Sequence, residues 1–242
     1  MQKELYSVLK RTVEESGLPF YREPLMGTAD TDSSCITRLK SIVHPDHLLP
    51  GDILPGCRSV VAYFLPFRED IVRENRQGRS ASRLWAEVYI VTNRLLQKIA
   101  EKMKDRLAAE GFRCAWEKPT HNFDEDLLVS YWSHKHLAFA CGLGRFGRNQ
   151  LLITGRGCAG RLGSLVTDCH LESDQYLADT PFYSCPEGCS YCERHCPAGA
   201  LGEGGLDRKA CYKILLENDR LYPDLDLCDV CGKCSTGPCA VF

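Results

Sequence analysis

The hydrophobic pattern changes period along this 242-residue chain. Leu5, Val8, Leu9 and Val13 recur at helical spacing and predict an N-terminal helix over residues 2–16. The run RSVVAYFL at 58–65, closed by Pro66, is rich in β-branched and aromatic residues and reads as a buried strand. Residues 82–110 carry a long helical pattern that Gly111 ends. A short strand is expected over Phe112 to Trp116, and a helix over 127–141 that stops at Gly142. Gln150 to Thr154 and Leu162 to Thr167 read as two further strands, separated by a glycine-rich turn. This mixture predicts an α/β (α+β) domain over residues 1–178, with helices packed on a sheet. Beyond it the apolar periodicity gives way to cysteines. A second, smaller domain is expected over 179–242, with the boundary near 170–184.

Composition narrows the function classes. Hydrophobic residues make up 44% of the chain, an ordinary share for a globular protein. The net charge is −2 and there is no basic block, which argues against a nucleic-acid footprint. No apolar run approaches the roughly 20 residues that span a bilayer, so no membrane partner is expected. The N-terminus MQKELYSVLK has no signal-peptide apolar core. The expected compartment is therefore the reducing cytoplasm.

Nine of the 15 cysteines lie between Cys185 and Cys239. They read Cys185-x3-Cys189-x2-Cys192-x3-Cys196-Pro197, then Cys211, then Cys228-x2-Cys231-x2-Cys234-x4-Cys239. Bacterial ferredoxins use C-x2-C-x2-C-x3-C-P to hold two [4Fe–4S] clusters, the fourth cysteine serving the other cluster. Soft thiolates suit iron, and short spacings let one loop wrap three corners of a cubane. Two such clusters need eight thiolates, so one of the nine is surplus. Zinc at Cys228-x2-Cys231 and a disulfide scaffold are the competing readings. The odd cysteine total and the Cys-Pro ending favour iron–sulfur over both.

The segment Cys141 to Asp168 holds seven glycines interleaved with Arg145, Arg148, Arg156 and Arg161. Gly142-x-Gly144-x-x-Gly147 matches the dinucleotide fingerprint, but that motif must follow a strand and open a helix. Here it follows a predicted helix and leads into a strand, and Gly142 reads as a helix C-cap. Two readings remain. The glycines make turns, or their bare backbone approaches a large flat cofactor whose anionic groups the arginines meet.

The sequences LAFACGLGRFGRNQLLIT and GRLGSLVTD, the cysteine tail, and the earlier LLPGDILPGCRSVVAYFLP together resemble the epoxyqueuosine reductases and the catalytic cores of reductive dehalogenases. The likeness extends from about residue 45 to 239. It implies a nitroreductase-like domain that binds cobalamin, followed by a ferredoxin-like double-cluster domain that feeds it electrons. On the cofactor reading of the glycine–arginine segment, Gly142, Gly144, Arg145, Gly147, Arg148, Asn149, Gly157 and Arg161 are the candidate contacts. Flavin (FMN) in the same pocket is the alternative. The resemblance also implies that Cys185, Cys189 and Cys192 begin one cluster, completed by Cys234 or Cys239. Cys196, Cys211, Cys228 and Cys231 would hold the other, Cys211 following the family's Leu-Asp-x-Arg stretch at Leu206–Lys209. A plain ferredoxin reading would use Cys228, Cys231 and Cys234 together and leave Cys211 free.

The sequence departs from that family at several points. The family's acidic proton donor, about 14 positions before the GLG, is replaced by Leu128. Asp126 and Tyr89 are the remaining catalytic candidates, although Asp124, Glu125 and Asp126 read better as a helix start. The family continues past the clusters with a tRNA-associated region, whereas this sequence ends three residues after Cys239. His134 and His136, two apart, read as packing residues rather than a metal pair. Two functions are thus expected from the residues. One is a corrinoid- and iron–sulfur-dependent reductase of a small molecule, fed by a low-potential donor such as ferredoxin or flavodoxin. The other is an electron-transfer or activator protein that serves a redox partner.

Overall fold

The computed structural model describes residues 1–118, 120, 122–174, 185 and 187–242. It is a mixed helix and strand fold with two compact units that interleave in sequence. The first unit comprises residues 1–65, 94–143 and 161–180, and the second 66–93, 144–160 and 181–242. The boundary expected at 178/179 lies outside the described residues.

The first unit is built on a four-stranded sheet in the order Leu25–Asp30, Ser59–Pro66, Gly160–Thr167, Cys114–Ala115. Ser59–Pro66 is buried along its whole length, which explains its unbroken apolar run. Leu25–Asp30 pairs with it antiparallel, Gly27 opposite Ala62. The N-terminal helix Gln2–Glu15 buries Leu5, Val8 and Leu9. These meet Val61, Tyr63 and Leu65 of the central strand and Leu96, Ile99 and Met103 of the long helix Arg83–Ala108 in one core. Tyr63, fully buried, satisfies its hydroxyl by donating to the Leu96 carbonyl at 3.1 Å.

The helix expected over 127–141 forms only at His134–Ala140. Residues before it make a hairpin, Phe123–Asp124 against Val129–Ser130. The acids at its tip do not start a helix. The Asp124 carboxylate accepts the N–H groups of Leu127 (2.7 Å) and Asp126 (3.0 Å), an Asx-type turn. Leu128 closes that turn at φ +54°. The apolar residues Leu127, Leu128 and Val129 fit a helical pattern, but the local side-chain-to-backbone bonds decide for the turn.

The second unit contains the hairpin Gly144–Phe146 against Leu152–Thr154. It also holds the helices Tyr191–His195 and Arg208–Leu221 and the turn Lys233–Ser235. Asp207 caps the longer helix by accepting the Ala210 N–H at 3.0 Å. The stretch Leu206–Lys209 is thus a helix start, and it sets Cys211 one turn in. No helix among the described residues is long and apolar enough to cross a membrane.

Candidate metal centre

All nine tail cysteines are in the second unit, together with residues 144–160 of the glycine–arginine segment. Cys185, Cys189, Cys192, Cys234 and Cys239 line one small cavity with Asn149. Among the described residues no three Cys, His, Asp or Glu side chains converge on a single-ion position. The thiols surround a common space rather than a point.

Hydrogen-bond donors are aimed at the sulfurs. The Arg148 N–H donates to Cys185 Sγ at 3.3 Å, and the Ala200 N–H to Cys196 Sγ at 3.3 Å. The Asn149 amide donates to the Cys234 carbonyl at 3.1 Å, and its nitrogen lies 3.5 Å from Cys158 Sγ and 3.9 Å from Cys239 Sγ. The Arg148 guanidinium pairs with Glu193 at 2.7 Å. Donors of this kind stabilise thiolate charge and suit cluster ligands.

The thiols fall into two neighbourhoods. Burial pushes Cys211 up to about 11, and the nearby Cys231 and Cys196 add to the shift. Burial also raises Cys192, with Cys185 next and Cys239 contributing. Cys234 is raised by burial and then by Cys231, Cys211, Cys196 and Cys192, so it stands between the groups. Cys228, fully buried, is raised to about 11 by burial and by Asp219. Clustered buried thiols resist ionising without a cation, and iron supplies that charge.

A buried cation lies beside them. Lys233, between Cys231 and Cys234 in sequence, donates from Nζ to the carbonyls of Asn75 (2.5 Å) and Gln77 (2.7 Å). Asn75 in turn donates to the Cys231 carbonyl at 2.9 Å. Sequence reasoning missed Lys233; a lysine inside a cysteine run was the available signal.

The candidate cofactor contacts of the glycine–arginine segment meet protein in most cases. A Cβ on Gly144 would stand 2.2 Å from the Ile153 carbonyl oxygen, and one on Gly157 2.2 Å from that of Ala240. Gly147 lies against Ile153 and Asn149. Gly142, at φ +73°, ends the helix His134–Ala140, its N–H donating to the Phe139 carbonyl. Arg145 is buried, and Arg161 is half-buried. An open cavity of about 360 Å³ lies beside Arg79, Pro197 and Leu221, and none of the candidate contacts lines it. At Gly144, Gly147 and Gly157 the bare backbone admits neighbouring protein atoms.

The catalytic candidates are separately placed. Asp126 is exposed at the hairpin tip. Tyr89 is buried, and its hydroxyl donates to Asp229 at 2.9 Å within the second unit. The N–H donors of Leu127 and Asp126 hold the Asp124 carboxyl below the usual range, the form that accepts rather than gives a proton. His134 and His136 pack instead of pairing on a metal. His134 Nδ1 bonds Ser164 Oγ at 2.8 Å and His136 Nδ1 bonds Ser133 Oγ at 2.7 Å. Cys141 is buried in the first unit, its thiol 3.7 Å from the Val60 carbonyl.

No family model matches the chain. It is 26% identical over 184 residues to the epoxyqueuosine reductase of Bacillus cereus, covering 72% of this chain and 44% of that protein. The chain thus spans less than half the length of this curated relative. Its fold matches an epoxyqueuosine reductase from Bacillus subtilis, solved with a catalytic aspartate loop swung out of the active site. That match has a TM-score of 0.57 at 18% identity and covers 98% of this chain and 66% of that one. It also matches a catabolic reductive dehalogenase in complex with 3-bromo-4-hydroxybenzoic acid, with a TM-score of 0.62 at 16% identity, over 90% of this chain and 30% of that one. In sequence the chain resembles the epoxyqueuosine reductases, and in fold it resembles both them and the reductive dehalogenases.

Proposed function

We propose that this chain is an iron–sulfur redox protein that passes single electrons through two [4Fe–4S] clusters to a reductive reaction. One observation carries the reading: cysteines from both ends of the tail line one cavity, with N–H donors aimed at their sulfurs. Cys185, Cys189, Cys192 and Cys239 would hold one cluster. Cys196, Cys211 and Cys231 would hold the other, with Cys228 or Cys234 as the fourth ligand. Bound cubanes supply one-electron storage at a potential set by charge, hydrogen bonds to sulfur and solvent exposure. The protein's part is to hold the thiolates, direct the Arg148, Ala200 and Asn149 N–H groups at them, and place the Lys233 charge nearby. An external low-potential donor, of ferredoxin or flavodoxin type, would supply the electrons. The likeness to reductases supports the reductive direction.

No step is routed through a corrinoid, because the bare backbone of Gly144, Gly147 and Gly157 lies against protein atoms. That observation favours a carrier or activator that hands its electrons to a redox partner, over a reductase with its own small-molecule chemistry. Anaerobic purification with metal and sulfide analysis tests the main reading. Iron at about eight per chain, with a reversibly bleached visible band, is the expected result. Zinc in place of iron, or no metal, overturns it. Stoichiometric uptake of added cobalamin by the same sample would restore the reductase reading. Release of a yellow flavin would do the same for FMN.

A further inference from the structure

We propose that Cys158 and Cys239 are a redox pair that closes to a disulfide whenever Cys239 carries no iron. The proposal rests on the two-cluster reading, in which Cys239 is a ligand and Cys158 is not. Cys158 belongs to the glycine–arginine segment and is 81 residues from Cys239 in sequence, yet their sulfurs are 3.7 Å apart. The backbones are joined at the same residues, the Cys158 N–H donating to the Cys239 carbonyl at 2.9 Å. The next residue repeats the contact, Ala159 N–H to Ala240 carbonyl at 3.0 Å. These two bonds hold the backbones side by side at the two cysteines, the close approach that a disulfide's Cα span of about 4.4–6.8 Å requires.

The approach is built into the turn before Cys158. Gly157 sits at φ +87°, where a Cβ would collide with the Ala240 carbonyl, so a glycine is required for the segments to meet. Asn149 faces both sulfurs and fixes them from a third side. Cys158 is buried while Cys239 is half-buried, so an oxidant reaches Cys239 first.

The chemistry balances with hydrogen peroxide as oxidant. The iron-free Cys239 thiolate attacks the O–O bond; an S–O bond forms, the O–O bond breaks, and hydroxide leaves and takes up a proton. The Cys158 thiol then attacks that sulfur; the S–S bond forms, the S–O bond breaks, and water leaves. Two thiols and one peroxide give one disulfide and two waters, two electrons passing from sulfur to oxygen. A thiol reductant reverses the bond and returns Cys239 for ligation. Cys158 thereby guards Cys239 against irreversible oxidation while the iron is absent.

Peptide mapping tests this on the whole purified chain. Its iron is measured first, then removed anaerobically with a ferrous chelator, and one equivalent of hydrogen peroxide is added. Tryptic cleavage without reduction isolates GCAGR, residues 157–161, and CSTGPCAVF, residues 234–242. The expected product is these two peptides linked, with fragmentation placing the bond on Cys239, and its loss on adding dithiothreitol. In Cys158→Ser given excess hydrogen peroxide, Cys239 should instead progress through sulfenic to sulfinic acid, consuming two peroxides. Recovery of Cys158 as a free thiol beside oxidised Cys239, or a bond to Cys234, overturns the pair. A chain purified with iron that forms no such bond after chelation and peroxide sinks the pair and spares the cluster reading. A metal-free chain that forms it does the reverse.

Discussion

At the scale of single residues, Cys239 and Lys233 carry the sharpest expectations. Cys239 and Cys234 both line the cavity of Cys185, Cys189 and Cys192, but Cys234 also feels Cys231, Cys211 and Cys196 and so stands between the two groups of thiols. Cys239→Ala should therefore lose about half of the roughly eight irons, read by metal analysis and by loss of one of two cluster signals in paramagnetic resonance. Retention of full iron would move the ligand to Cys234. The Lys233 ammonium is buried within reach of two carbonyls, and burial lowers its affinity for a proton. A positive charge beside a cluster favours the reduced, more negative state. Lys233→Met should thus lower the midpoint potential of the cluster near Cys231, measured by redox titration. The unpaired carbonyls should also cost about 1–3 kcal/mol of stability each, seen in denaturant melts.

At the scale of elements, the glycine–arginine segment takes on a different role from the one its composition suggested. Its turn at Thr154–Gly157 and the two residues after it, Cys158 and Ala159, meet the end of the cysteine tail. Gly157→Ala adds a Cβ both at φ +87° and against the Ala240 carbonyl. Such backbone strain costs of order 1–3 kcal/mol. We expect lower thermal stability and weaker iron retention in this variant, with near-wild-type behaviour on substituting exposed Arg156. The helix Arg208–Leu221 gives a milder test. Removing its cap with Asp207→Ala should cost about 1 kcal/mol and make the iron sharing Cys211 easier to chelate.

For the whole molecule, the clearest expectation is a pH dependence seated in the first unit. Burial holds His134 and His136 down to about 4, and burial also lowers His47. His47 is fully buried, with Nε2 accepting the Ser133 N–H and Nδ1 facing the Leu48 carbonyl. That arrangement fits the neutral ring. An unfolded histidine titrates near ~6.5, so between that pH and about 4 the unfolded chain binds more protons than the folded one. Stability is therefore complete above pH ~6.5 and declines as pH falls toward 4. A melting temperature that stays level across this window, at constant iron content, would contradict the neutral assignment.

The sequence alone determined what local spacing can encode. Short intervals between cysteines, an apolar run fit only for a buried strand, and a helical repeat in residues 2–16 each express constraints among near neighbours. The same logic misread residues 127–133, because the Asp124 side chain captures backbone N–H groups that a helix would have used. Only the tertiary structure could pair Cys158 with Cys239, or show that Gly144 and Gly157 are bare to admit other backbone rather than a cofactor. Those contacts join residues far apart in the chain, and their identity depends on which surfaces the folded core brings together. Spacing cannot report that. It announced a thiol-rich metal centre, and the packing of the second unit chose which thiols share a cavity.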